Sequence, residues 1–198
     1  TPISEEQCLD ELERHLAEAV RIRLISDVPL GALLSGGVDS SIVVALMARA
    51  SSKPIKTFSI GFRAERFNEA EYARAVAKQF GTDHRELVVD PDLKETLNYL
   101  STMLEEPFGD SSMLPTYHVS RMARKHVTVA LSGDGGDELF AGYDRYLVAM
   151  ARQKFNHLPS WMGRAYRAAI HDLIPAGMYG KNLAWNASLG ARDRYLDD

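Results

Sequence analysis

The stretch Leu30-Gly31-Ala32-Leu33-Leu34-Ser35-Gly36-Gly37-Val38-Asp39-Ser40-Ser41 decides the fold. From Pro29 to Leu34 the chain is apolar over the length of a short buried strand, and the run stops at a glycine pair. Val, Ala, Leu and Met then dominate from Ile42 to Ala50, which reads as a helix. A buried strand, a tight glycine turn and a helix form the first half of a βαβ unit. Upstream, Asp27-Val28-Pro29 separates this strand from an opening helix. There Ser4-Glu5-Glu6-Gln7 fits a capping box, and Leu9, Leu12, Leu16 and Val20 recur at helical spacing.

The same grammar continues downstream. Ile55–Phe62 reads as a second strand, and Glu69–Phe80 as a helix ended by Gly81. Arg85–Val89 reads as a third strand, followed by helices over 92–104 and 114–125. Val127–Leu131 is a fourth strand that ends in Ser132-Gly133-Asp134-Gly135-Gly136-Asp137-Glu138. Strands separated by helices predict a parallel sheet, because each crossover passes over one face. The expected class is therefore α/β, a parallel sheet with helices on both faces. Strand signals stop after Leu139, so 151–198 is expected to be a helical extension of the α/β domain over 1–150.

Composition narrows the functional classes. The chain has 198 residues, 45% hydrophobic and 25% charged, which is ordinary for a globular domain and argues against disorder. A formal net charge of −4 supplies no drive toward nucleic acid or an anionic membrane. No apolar run reaches the roughly 18 residues of a membrane span. The lone cysteine, Cys8, excludes an internal disulfide framework and a multi-cysteine zinc site, and a reducing cytoplasm fits best. Thr1 opens without a methionine or an apolar signal core, and Arg194–Asp198 closes in helical-looking sequence. Both ends suggest a fragment of a longer protein.

Both glycine-rich loops follow strands, at the sheet edge where α/β proteins bind ligands. Gly36 and Gly37 let backbone N–H groups form a nest for phosphate oxygens. Ser35, Ser40 and Ser41 add hydroxyls, and the helix that follows directs its positive end toward the same anion. Asp39 would repel a phosphate unless magnesium bridges the two, although a favourable charge at a helix start is a sufficient reason for it taken alone. Asp134, Asp137 and Glu138 would repel one another unless solvated or metal-bound. No Gly-Lys-Ser/Thr follows the first loop, which excludes a lysine-bearing P-loop, and no Gly-x-Gly-x-x-Gly supports a dinucleotide site.

Leu33–Ser41 resembles the pyrophosphate loop of the N-type ATP pyrophosphatases. Together with Ser132–Glu138 and Glu106-Pro107-Phe108-Gly109-Asp110-Ser111-Ser112, residues 10–150 resemble the synthetase domain of glutamine-hydrolysing asparagine synthetases. The resemblance implies an adenine nucleotide alpha hydrolase-like fold and a ligase with ATP and Mg²⁺ as cofactors. Leu33 and Ile60 would line the adenine pocket, and Ser35, Gly36, Gly37, Ser40 and Ser41 would hold pyrophosphate. Ser132 and Gly133 would contact the nucleotide, and Asp39 and Asp137 would hold magnesium. Asp134, where many family members carry glutamate, would help form the acyl-adenylate. The implied reaction joins ammonia from glutamine to aspartate, releasing AMP and pyrophosphate; related enzymes act on carboxylates of lactams, sugars or peptides. A non-catalytic nucleotide-binding module is the alternative from another class. A glutaminase domain with an N-terminal cysteine, a later lysine-bearing segment and a homodimeric state are expected of the full-length protein, with no nucleic acid or membrane as partner.

Outside the loops, the six histidines show no metal-ligand spacing, and His84 reads as a surface or packing residue. Cys8 reads as a packing residue of the first helix. Arg121, Arg124 and Lys125 read as a solvated helix end, and Trp161, Tyr166 and Trp185 as core or interface aromatics. Ser111, Ser112 and Thr116 are candidate contacts to the amino-acid substrate by position.

Overall fold

The structure, a computed structural model, describes residues 3–62, 69–89, 93–106 and 108–152. Helix α1 (Glu5–Arg23) opens with the expected capping box: the Gln7 N–H donates to Ser4 Oγ at 3.2 Å, and the Ser4 N–H donates to Gln7 Oε1 at 3.0 Å. Strand β1 (Leu30–Leu33) leads into α2 (Val38–Ala50), β2 (Lys56–Phe62) into α3 (Ala70–Phe80), and β3 (Asp83–Val89) into α4 (Leu93–Met103). Helix α5 (Met113–Ala123) precedes β4 (Val129–Leu131).

All four strands are parallel, in the order β3-β2-β1-β4. The chain steps outward from β1 through β2 to β3, then returns to the other side of β1. The reversal falls between β1 and β4, the kind of position at which open α/β sheets bind ligands.

Alternation along the strands supplies two cores. Ala32 and Leu34 are buried with Val20 of α1, Val44 and Met47 of α2, and Ala73 and Ala77 of α3. Phe58 lies in a second cluster with Met122, Ala123 and Val127, against which Leu33 and Val119 pack. Successive β1 residues thus enter different clusters, so helices cover both faces, the condition a parallel sheet requires.

Gly81 ends α3 in the left-handed conformation, φ 61°, and the Thr82 N–H donates to Ala77 O at 3.0 Å. Helix α2 begins at Val38 rather than beyond the serines. Ser40 and Ser41 donate their hydroxyls to Gly37 O at 3.2 and 2.6 Å, so they belong to the first turn of the helix. Cys8 is exposed, which corrects its reading as a packing residue: α1 turns Val20 inward and leaves its N-terminal half in solvent, with Leu9 also exposed.

The chain divides into two compact units, residues 1–134 and 135–198. In the second, α6 (Gly136–Phe140) and α7 (Asp144–Arg152) are described. The helical extension expected over 151–198, with Trp161, Tyr166 and Trp185, lies outside the described residues apart from its first two. No helix among the described residues is long and apolar enough to cross a membrane.

His84 stands within β3, half-buried, and joins a polar strip across β2 and β3. Its Nδ1 shares a 2.9 Å hydrogen bond with Thr57 Oγ1, and its Nε2 a 3.2 Å bond with Ser59 Oγ. Thr57 and Ser59 are themselves buried. Burial holds His84 below the ordinary imidazole value of 6.5; Glu86 pulls the other way, and Arg74 of α3 adds to the lowering. His118 is lowered likewise, by burial and by Arg121. Below about pH 6.5 the unfolded chain therefore binds more protons than the folded one, and stability falls as pH drops. The urea midpoint is expected to be flat above neutrality and to decline from pH 6.5 downward, and His84→Gln is expected to shallow that decline. An unchanged slope would remove the imidazole as its source.

Candidate active site

The turn from β1 into α2 is built by backbone crowding. Gly36 adopts φ 91°, which L side chains rarely tolerate, and a Cβ there would lie 2.5 Å from Ala73 N and 2.6 Å from Tyr72 Cβ. The loop is therefore pressed against the first turn of α3. On its other side, a Cβ on Gly133 would lie 2.6 Å from Ser40 N and 3.0 Å from Asp39 Cβ. The loops after β1 and β4 thus meet backbone to backbone, as their position at the chain reversal allows.

Inside the turn the polar groups bond to one another. Ser35 Oγ and Ser40 Oγ are 3.0 Å apart, and the Gly37 N–H donates to Ser35 Oγ at 3.2 Å. Gly37 caps α2 with no side-chain hydrogen bond, so the helix start keeps donors for an anion. Hydroxyls rotate at little cost, and an incoming anion can replace these internal acceptors. Asp39 is half-buried in the first turn of α2, and its carboxylate has no partner among the described residues.

Beside this turn lies a cleft of about 310 Å³ at the carboxyl ends of β1 and β2. Leu33, Phe58 and Ile60 from the strands and Pro115 and Val119 from α5 supply apolar walls. Ser35 links the cleft to the glycine turn, and Thr116 and Glu69 add polar groups. The cleft thus gathers Leu33, Ile60 and Ser35. A larger groove, about 500 Å³, runs along α5 and β4 but contains no residue of either glycine loop.

On the β4 side, Ser132 donates its hydroxyl to Asp134 Oδ2 at 2.8 Å, which fixes the carboxylate at the end of the strand. Asp137 and Glu138 belong to the second unit, in the first turn of α6. There the Tyr143 hydroxyl donates to Glu138 Oε1 at 2.6 Å, and Arg145 lies over the Tyr143 ring at 4.5 Å. That hydrogen bond holds Glu138 below the usual carboxylate range and raises Tyr143. Ser111 and Ser112 are exposed at the start of α5, where the Ser112 N–H donates to Asp110 Oδ1 at 2.8 Å. Thr116 instead lines the cleft beside Leu33 and Ile60. Arg121 and Arg124 are exposed at the C-terminal end of α5, as expected of a solvated helix end.

Two cleft features escaped the sequence reading. Glu69 had no motif to mark it, and the seating of Gly36 on α3 joins residues 36 positions apart. No group of three or more His, Cys, Asp or Glu among the described residues could hold a metal ion. Magnesium does not require such a cage, because it keeps several waters and is commonly held by one or two carboxylates plus phosphate oxygens. Asp39, half-buried and without a partner among the described residues, fits that mode.

Fold and site together define a parallel α/β domain with a glycine turn at a helix start by its strand reversal and an apolar cleft beside it. The asparagine synthase family model matches residues 11–196, and the chain belongs to that family. It is 35% identical to asparagine synthetase (glutamine-hydrolyzing) 1 of Bacillus subtilis, over 97% of this chain and 30% of that protein. A Methanocaldococcus jannaschii protein named "Putative asparagine synthetase (glutamine-hydrolyzing) 2" is 44% identical over 78% of this chain and 30% of its own length. The chain thus spans about 30% of the length of these relatives.

Gly36→Ala is expected to destabilise the first unit by about 2–4 kcal/mol, combining a left-handed backbone for a non-glycine residue with overpacking against α3. Urea unfolding measures it. A loss within about 0.5 kcal/mol, the range of an ordinary surface change, would contradict the packing described here.

Proposed function

We propose that this chain is the ATP-binding part of a ligase that amidates a carboxylate through an acyl-adenylate, with aspartate as substrate and asparagine as product. The observation that carries the reading is the contact of Gly133 with Asp39 and Ser40. It brings the loop after β4 onto the first turn of α2, and Ser35 of the preceding turn lines the apolar cleft, which supports a nucleotide spanning the two. Family membership supports the same chemistry. On this reading residues 1–150 are the nucleotide domain and 151–198 continue the synthetase domain of a cytoplasmic enzyme.

Leu33 and Ile60 would flank the adenine ring, whose faces are apolar. Ser35, Gly36, Gly37, Ser40 and Ser41 would receive the β- and γ-phosphates, with backbone and hydroxyl donors and the positive end of α2. Ser132 and Gly133 would border the α-phosphate side. Asp39 and Asp137 would hold Mg²⁺, which when bound offsets the charge of the polyphosphate.

A substrate carboxylate oxygen attacks the α-phosphorus, the bond to the β-phosphate oxygen breaks, and pyrophosphate leaves. The product is a mixed anhydride, whose AMP is a far better leaving group than oxide. Ammonia then adds to the acyl carbon, the bond to the phosphate oxygen breaks, a proton is lost, and the amide and AMP separate. The turn donors would stabilise the departing pyrophosphate because they are fixed before the charge arrives. Asp134, held by Ser132, would orient groups at the acyl-adenylate. Ammonia would come from glutamine through a glutaminase domain of the longer protein.

Two outcomes test this reading in the intact protein. The first products from ATP and aspartate are expected to be AMP and pyrophosphate, resolved by phosphorus NMR; ADP and phosphate would overturn the pyrophosphate-loop assignment. Asp39→Ala and Asp137→Ala are each expected to lower magnesium-dependent turnover about a hundredfold or more, the scale on which a site loses a key electrostatic group. Circular dichroism and the melting temperature should stay close to wild type, since the Asp39 carboxylate has no partner among the described residues. Retained turnover in both would remove the metal assignment.

A further inference from the structure

Glu69 is the one ionisable side chain among the described residues that line the 310 Å³ cleft. A structural duty for it would be to cap α3, but no side-chain hydrogen bond caps that helix. Its carboxylate has no partner among the described residues, and only its backbone is engaged, with Glu69 O accepting from Tyr72 N–H at 3.1 Å and Ala73 N–H at 3.2 Å. A solvent-facing carboxylate at a cleft wall is free to meet a ligand.

The chemistry of a bound nucleotide narrows what it can meet. A carboxylate only accepts hydrogen bonds and is repelled by phosphates, so its partners must be donors. A nucleoside triphosphate offers donors at the ribose hydroxyls and at the exocyclic amine of the base. Position separates these two. Glu69 lies one helical turn, about 5–6 Å of rise, before Ala73, and Ala73 N is the atom that crowds Gly36 in the phosphate turn. The sugar is the part of a nucleotide joined directly to the phosphates, whereas the base lies one unit further out, where the apolar side chains of β2 and α5 gather.

We propose that Glu69 is a specificity-determining residue that accepts hydrogen bonds from the ribose hydroxyls of the bound nucleotide and so selects ribonucleotides over deoxyribonucleotides. An acidic residue that follows the second strand of an α/β sheet and reads ribose hydroxyls is a known physical solution in other nucleotide folds. This inference rests on the nucleotide reading of the cleft.

The test is equilibrium binding of ATP, 2′-deoxy-ATP and 3′-deoxy-ATP, each with Mg²⁺, to the intact protein and to Glu69→Ala and Glu69→Gln. In the wild type at least one deoxy analogue is expected to bind about tenfold more weakly than ATP, as a lost charge-assisted hydrogen bond requires. Glu69→Ala should bring that ratio close to one by weakening ATP alone, and Glu69→Gln should restore part of it, since its amide oxygen still accepts. A substitution that weakens all three nucleotides equally and leaves the ratio unchanged overturns the assignment and reveals a structural role. A wild type that binds all three alike overturns it as well. A folded wild type that binds none of them overturns the nucleotide reading itself.

Discussion

Backbone crowding around the turn between β1 and α2 is the constraint on which the rest of the site depends. Gly36 touches the first turn of α3, and Gly133 touches the first turn of α2; at each place a methyl group would occupy space already filled. Interiors packed to crystal density resist such insertions because the neighbours have nowhere to go. Three separate segments of chain are thereby fixed about one small volume. The parallel sheet brings them there, since the chain reverses between β1 and β4 and both following loops emerge at the same end.

Electrostatics then gives that volume its character. The start of α2 contributes partial positive charge and unsatisfied N–H groups, which favour an anion. Asp39 opposes this locally, with a carboxylate in the same first turn. The serine hydroxyls bond to one another and to the Gly37 carbonyl, so their positions are set within the turn itself. Preformed donors lose little entropy on binding, which is the physical advantage of building the site from a tight turn rather than from long flexible side chains. The cleft beside it has apolar walls from Leu33, Phe58, Ile60, Pro115 and Val119.

Much of this was legible in the sequence because it is local. The capping box at Ser4, the glycine stop at Gly81, the four strands and the parallel α/β class all follow from patterns within a few residues. Boundaries moved where neighbours intervened: β3 begins at Asp83, where register with Lys56 extends the ladder, and α2 begins at Val38 because its serines bond backward. Leu33, Ile60 and Ser35 line one cleft. What the sequence could not display is non-local. The order of the strands, the seating of Gly36 on α3, the bonding of His84 to Thr57 and Ser59 and the entry of Glu69 into the cleft each join segments far apart in sequence. Cys8 misled for the opposite reason, since helical spacing alone does not say which part of a long helix finds a partner.

Isotope exchange between labelled pyrophosphate and ATP, catalysed by the intact protein with Mg²⁺, tests the central claim most directly, because only reversible adenylation returns the label to ATP. The account predicts exchange that requires aspartate and stops when aspartate is withheld. No exchange with aspartate present, from protein shown to be folded and to bind ATP, would contradict it.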